Sequence, residues 1–277
     1  MYNFDFSSEV FHGDMFGDIA DVAIRAEPTM DQAQKILSGP GVIFCKTDYL
    51  DYLWNILEQQ NENQYVLITH NSDFHIDAER YSRRIHIKKW FALNVDHIDE
   101  DLIPIPSGME RPLGGGYSSD KTVLAKRLQE PRVRQNLAYM NHNANNNHGA
   151  RDFITENLKN QHWVTWRPHG QSFYDFIKNC YEHDFVISPE GNGIDCHRTW
   201  EALWMGAIPV VKESYLTSSF SSLPMLIVED WSIVTEELLT IVKEDYDKKE
   251  FNYEKLTFSY WKNRILSEKE HLCIKSE

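Results

Sequence analysis

Residues 188–211 read SPEGNGIDCHRTWEALWMGAIPVV, and this stretch decides the fold. An apolar run ending in Val186, Ile187 and Ser188 leads into a loop opened by Gly191 and Gly193. Thr199, Glu201, Ala202 and Leu203 then carry a helix, and AIPVV (207–211) is a second short apolar run. Strand, glycine loop, helix and strand in that order make a βαβ unit, whose two strands are parallel. Backbone N–H groups at such a helix start are free to bind an anion, and ligands of α/β proteins lie beyond the ends of parallel strands. His197 and Arg198 stand at that helix start, and Arg198 can grip a phosphate through two parallel hydrogen bonds. Glu201 follows His197 by one helical turn, on the same face. A carboxylate repels phosphate but accepts both hydroxyls of a ribose diol. Phosphate donors beside one diol acceptor are what a nucleotide-sugar site needs. The competing reading is a surface Arg198–Glu201 ion pair, with glycines that merely turn the chain.

The same alternation extends in both directions. Upstream, GVIFC (41–45), YVLITH (65–70), IHIKKWFALN (85–94) and LIPIPSG (102–108) read as strands, the last confined to a sheet edge by its prolines. Leu50, Leu53, Trp54 and Leu57 recur at helical spacing, with Asp48 as the expected cap. RPLGGGYSSD (111–120) breaks either periodicity and is the expected linker; it has neither the Walker lysine nor GxGxxG spacing. A second series follows: a helix over 122–129, strand NLAYMNH (136–142), helix 150–158, strand HWVTW (162–166), helix 172–180 and strand DFVISPEG (184–191). After AIPVV come the strand PMLIV (224–228), a helix from about Ser232, and an amphipathic terminal helix over 253–272. Two successive α/β halves result.

Composition narrows the function classes. The chain has 277 residues, 42% hydrophobic and 25% charged, enough for a full core, and its formal net charge of −14 repels phosphate backbones and anionic lipid. Neither a nucleic-acid partner nor membrane insertion is expected, because no apolar run approaches the ~20 residues of a membrane helix. MYNFDFSSEVFHGD lacks a signal-like start, and Cys45, Cys180, Cys196 and Cys273 form no CxxC, so a soluble, cytoplasmic protein with reduced thiols is expected.

Pro189, Gly191, Gly193, Asp195, His197, Arg198, Trp200, Glu201, Ala202, Leu203, Gly206, Ile208, Pro209, Val210 and Val211 appear in an order that resembles the donor motif of exostosin-like glycosyltransferases. Weaker similarity runs over 137–228 and includes Arg151, which opens a helix. The resemblance implies a GT-B glycosyltransferase fold, two Rossmann-like domains facing across a cleft. It further implies an inverting transfer that turns an α-linked UDP donor into a β-linked product. The expected domains are 1–130 for the acceptor, 131–245 for the nucleotide-sugar, and a helix over 246–277 packing back on the first. Donor binding falls to Arg151, Gly191, Asn192, Gly193, Asp195, His197, Arg198 and Glu201. In the family-like geometry Trp166, Pro168 and Phe173 form the base pocket.

An inverting displacement needs a base opposite the departing UDP, hence in the first half. Asp73 in HNSD (70–73) is the first choice, His70 its neighbour or substitute, and Asp14 in HGD (12–14) the alternative. The resemblance implies a UDP-sugar as donor, UDP-xylose as first guess, and a glycan hydroxyl as acceptor. No cofactor or metal is called for: no HExxH accompanies His70, His75 and His86, and Asp99-Glu100-Asp101 and Asp245-Tyr246-Asp247 read as solvated faces. Two alternatives stay open, an inactive nucleotide-sugar or glycan-binding module and a metal-dependent transferase using Asp99 and Asp101.

Overall fold

The computed structural model describes residues 6–59, 63–110 and 121–273; the expected linker at 111–120 lies outside them. The first half contains α1 (Phe6–Glu9), α2 (Asp14–Asp18), β1 (Val22–Ile24), α3 (Met30–Leu37), β2 (Gly41–Lys46), α4 (Leu50–Leu57), β3 (Tyr65–His70), α5 (Ala78–Ser82), β4 (Ile87–Ala92) and β5 (Leu102–Pro104). The second begins with α6 (Lys121–Leu128), β6 (Asn136–Met140), α7 (His148–Leu158), β7 (Val164–Trp166), α8 (Phe173–Glu182) and β8 (His183–Ile187). It continues through α9 (His197–Trp204), β9 (Ile208–Lys212), α10 (Tyr215–Ser218), β10 (Leu226–Val228) and α11 (Glu236–Tyr246) to α12 (Phe258–Cys273). The strands form two separate five-stranded parallel sheets, β1-β2-β3-β4-β5 and β10-β9-β8-β6-β7, a Rossmann-like α/β arrangement in each half.

Strand order in the first sheet follows chain order, so right-handed crossovers place their helices on one face. Ile43, Cys45, Tyr65 and Leu67 accordingly pack with Ile36 of α3, Leu53 and Trp54 of α4, and Tyr81 of α5. The alternate residues Val42, Phe44, Val66 and Ile68 point the other way, and an uncovered apolar sheet face is untenable in water. α12 returns from the far end of the chain to cover it, packing on β2 and β3. Phe258 meets the rings of Phe11 and Phe16 at 5.9 and 5.8 Å, while Trp261 meets Phe220 of the second half at 6.0 Å. Fully buried Ile265 contributes about 1.5–3 kcal/mol to that seam.

The second sheet is wound both ways. α7 and α11 cover one face through Ile154, Leu158 and Leu239, and α8 and α9 cover the other through Phe176, Ile177 and Leu203. From β6 the chain runs outward to β7 and then back past itself to β8, which makes the β6/β8 junction the point where strand order reverses. A crevice opens at the C-terminal ends of strands there.

Local expectations fail in three places. Asp48 does not cap α4: it sits in a 3-10 turn, Thr47–Tyr49, and pairs with Lys46 at 3.2 Å, while Tyr49 occupies the cap with no side-chain bond. The helix expected from Ser232 is a 3-10 turn over Trp231–Ile233, and α11 begins after Thr235, whose hydroxyl accepts from Leu238 N–H. β1 and α3 precede the first strand read from the sequence. Thr29 and Gln32 close a reciprocal capping box at the start of α3, which was the available signal.

Candidate functional site

The C-terminal ends of β2, β3 and β4 face those of β6 and β8 across a cleft of about 880 Å³. Its second-half wall is the loop between β8 and α9. Arg151, from the first turn of α7, builds that wall: its Nε donates to Glu190 O at 2.8 Å, and its Nη atoms donate to Asn143 O at 2.9 Å and Pro189 O at 3.2 Å. The guanidinium is thus consumed in holding the loop together. Arg198 differs. It lines the same cleft, and its Nε is buried with no hydrogen-bond partner among the described residues. A buried guanidinium N–H without a partner costs free energy.

Three residues of the motif are tied to the first half. Asp195 accepts from Ser107 N–H at 2.8 Å, from Trp200 Nε1–H at 2.7 Å and from its neighbour Cys196 N–H at 2.8 Å. Burial pushes its carboxyl up, against those three donors. His197 donates from Nδ1 to Gly108 O at 2.9 Å, so Nε2 alone remains to face a ligand, and only the protonated ring could donate there. Glu201 accepts from Glu110 N–H at 3.3 Å; burial raises its carboxyl to about 7, with the charge of His197 opposing. Gly108 can serve this loop because its φ of +65° is readily open to glycine, and an added Cβ would strike the Phe11 carbonyl.

Behind Arg198, His142 is 1% exposed. Thr155 Oγ1 donates its proton to Arg151 O at 2.7 Å, so His142 Nε2 donates to Thr155 Oγ1 at 2.8 Å, and His142 Nδ1 has no partner among the described residues. Burial first, then the charges of Arg198 and Arg151, depress His142 to about 3, so it stays neutral beside the two cations.

All eight residues expected to bind the donor line this cleft, yet some keep polar groups toward it and others act as braces. Arg198, Glu201, Asn192 and the glycine backbone present groups to the cleft, whereas Asp195 and Arg151 spend theirs on the protein. Trp166, Pro168 and Phe173 are not among the lining residues. Trp166 packs on His142 at 5.3 Å, Pro168 offers its carbonyl to Asn141, and Phe173 is a core residue at 6% exposure. His169 and Phe176 line that part of the cleft instead.

In the first half, Asp73 and His70 line the cleft and Asp14 does not. Asp14 accepts from Asn71 Nδ2 at 2.6 Å, one residue back from the opening. Both ring nitrogens of His70 are engaged: Nδ1 accepts from Asn71 N–H at 2.8 Å, Nε2 donates to Pro106 O at 3.0 Å, and burial lowers the ring to about 4. Asp73 is exposed, and its Oδ2 accepts from Asn192 Nδ2 across the cleft at 3.2 Å. Asp99 and Asp101 precede β5, at the edge of the sheet away from the cleft; Asp99 accepts from Tyr81 OH and Asp101 pairs with Lys89.

Sequence reasoning missed Asn94. It sits past β4 with φ +55°, donates to Ser72 O at 3.0 Å and accepts from Asp195 N–H at 2.9 Å, joining two first-half loops to the motif. An asparagine ending a strand where the backbone turns left-handed was the only sign.

No family model matches the chain, and no curated protein matches it. Among solved structures, one described as the crystal structure of the GtfA/B complex matches at a TM-score of 0.33 and 10% identity, over 86% of this chain and 56% of that one. The chain thus spans about half the length of that structure, and a likeness this loose leaves the site to be read from its own side chains.

Proposed function

We propose that this chain is an inverting GT-B glycosyltransferase of exostosin-like type, which moves a sugar from a UDP donor, UDP-xylose as first choice, to a glycan hydroxyl with a β-linkage. The observation that carries the reading is Arg198: a cation with an unmet buried donor, at the start of α9, beside the carboxylate of Glu201, in a cleft lined by strand ends of both halves. Diphosphate on Arg198 and the α9 N-terminus, with ribose hydroxyls on Glu201, places donor binding in the second half. Positive charge at the departing UDP then comes from Arg198 and the helix terminus, and the reading calls for no metal. The acceptor lies on the first-half wall, where Asp73 is the exposed carboxylate available as base.

No helix among the described residues is long and apolar enough to cross a membrane. The proposal keeps the reaction in the cytosol, a compartment in which the free thiols of Cys45, Cys180 and Cys196 stay reduced. The inactive-module alternative shares the same donor site and differs only in turnover.

Calorimetry with UDP tests the site, and UDP release from UDP-xylose, UDP-galactose and UDP-glucuronic acid, each with added glycan acceptors, tests the reaction. Arg198→Ala removes charge-assisted bonds worth about 1.5–3 kcal/mol and weakens UDP about ten- to hundredfold. Unchanged UDP affinity in Arg198→Ala, or none in the wild type, overturns the assignment. Binding without release from any donor turns it to the inactive module.

A further inference from the structure

Phe74 is out of place for a structural aromatic. It is 52% exposed, it lines the largely polar first-half wall of the cleft, and its backbone is held in place. Asn71 turns the chain at φ +59°, Phe74 N–H donates to Ser72 Oγ at 3.3 Å, and Ile76 bridges Val95 in parallel fashion. Arg80 supports the ring itself. Its guanidinium carbon lies 5.2 Å from the ring centroid, and the same guanidinium donates to the His75 carbonyl. Asp77 caps α5 beneath it by accepting from Arg80 N–H at 2.8 Å. A half-exposed ring on a fixed loop, backed by a cation and set in a cleft, is a mounted surface rather than a stray side chain.

We infer that Phe74 is the stacking platform for a neutral pyranose of the acceptor glycan, an inference that rests on the glycosyl-transfer reading. A pyranose presents an apolar face of axial C–H bonds and an edge of hydroxyls. The C–H face covers the exposed ring, and the hydroxyl edge meets Asp73, Ser72 and the Lys46–Asp48 pair, which line the same wall. Charge selects the sugar. Lys46 is paired with Asp48, and the Arg80 cation behind the ring is outnumbered by the carboxylates of Asp73 and Glu110, so a uronate or phosphorylated sugar is repelled where a neutral one is accepted. The aromatics on the opposite wall, His169 and Phe176, belong to the second half and leave Phe74 to the acceptor.

Saturation-transfer-difference NMR tests this without turnover. The probes are methyl β-D-glucopyranoside, methyl β-D-galactopyranoside and methyl β-D-glucuronopyranoside at about 10 mM, enough to populate a site of millimolar affinity. UDP calorimetry runs in parallel on wild type, Phe74→Ala and Phe74→Tyr. In the wild type, saturation reaches the axial protons of one face of the neutral glycosides and is weaker on the glucuronide. Phe74→Ala lowers the neutral-sugar affinity about two- to tenfold, Phe74→Tyr keeps it, and both bind UDP as the wild type does. Undiminished saturation in Phe74→Ala, no saturation of any glycoside in the wild type, or a glucuronide that binds as well as the neutral sugars overturns the inference. Glycoside saturation that needs Phe74, in a protein that fails to bind UDP, overturns the donor reading and upholds the platform.

Discussion

Glu201→Gln separates a buried acid from a surface ion pair, because the two respond to pH in opposite ways. Glu201 is 4% exposed, and burial lifts its carboxyl from the ordinary 4.5 to about 7, with the charge of His197 and the Glu110 N–H pulling it back. A raised pKa means that the folded state holds the proton more tightly than the unfolded chain. Below 4.5 both states carry it and the fold is not penalised. Between 4.5 and about 7 the unfolded chain ionises first, so stability falls as pH rises, and above about 7 the full penalty stands. At about 1.4 kcal/mol per pH unit, a rise from 4.5 to about 7 comes to roughly 3 kcal/mol. Glutamine keeps the shape and can still accept from Glu110 N–H through Oε1, yet it cannot ionise. Any fixed cost of the added amide is the same at every pH. Thermal melts of both proteins at pH 5 and pH 8 therefore read the titration alone. At about 2–4 °C per kcal/mol, the melting temperature of Glu201→Gln relative to wild type climbs by about 5–10 °C from pH 5 to pH 8. A difference that stays constant, or shrinks towards pH 8, refutes the buried-acid argument.

Gly193→Ala puts a Cβ 2.5 Å from Asn94 Nδ2, and Asn94 can move aside only by releasing Ser72 O and Asp195 N–H. Two bonds at about 0.5–1.5 kcal/mol each predict a loss of about 1–3 kcal/mol in denaturant melts, and a variant as stable as the wild type removes Asn94 as the tie across the cleft. If the glycosyl-transfer proposal holds, Asp73→Asn keeps UDP affinity in calorimetry while turnover falls by about 10² or more, the usual share of a general base. Near-normal turnover takes Asp73 out of that role.

Much of the architecture was legible because the sheets are buried on both faces, so their strands announce themselves as unbroken apolar runs. YVLITH (65–70) is β3 residue for residue, and the prolines of LIPIPSG do leave β5 at an edge. Ends were harder. IHIKKWFALN (85–94) contains β4 at Ile87–Ala92 only, because His86 and Asn94 adopt φ near +58° and +55° and stop the strand on either side. Apolar periodicity carries no trace of that. β1 escaped notice for a different reason: three residues are too few to show a period.

The site was legible to the extent that side chains make it. Glycines, His197, Arg198 and Glu201 stand together in the sequence and line one wall of the cleft. What sequence cannot display is a contact made by the backbone, and the second half of the site is fastened to the first by backbone groups: Ser107 N–H on Asp195, Gly108 O on His197 and Glu110 N–H on Glu201. Any residue but proline offers the same N–H, so the 107–110 segment has no signature beyond its glycine. The same logic explains why Arg151 and Arg198 looked alike as letters. One is spent on three carbonyls that exist only after β6, α7 and β8 have packed, and the other retains a buried Nε without a partner among the described residues. Which arginine keeps an unmet donor is therefore decided by where the main chain runs out of acceptors, a property of the folded loop rather than of the residue.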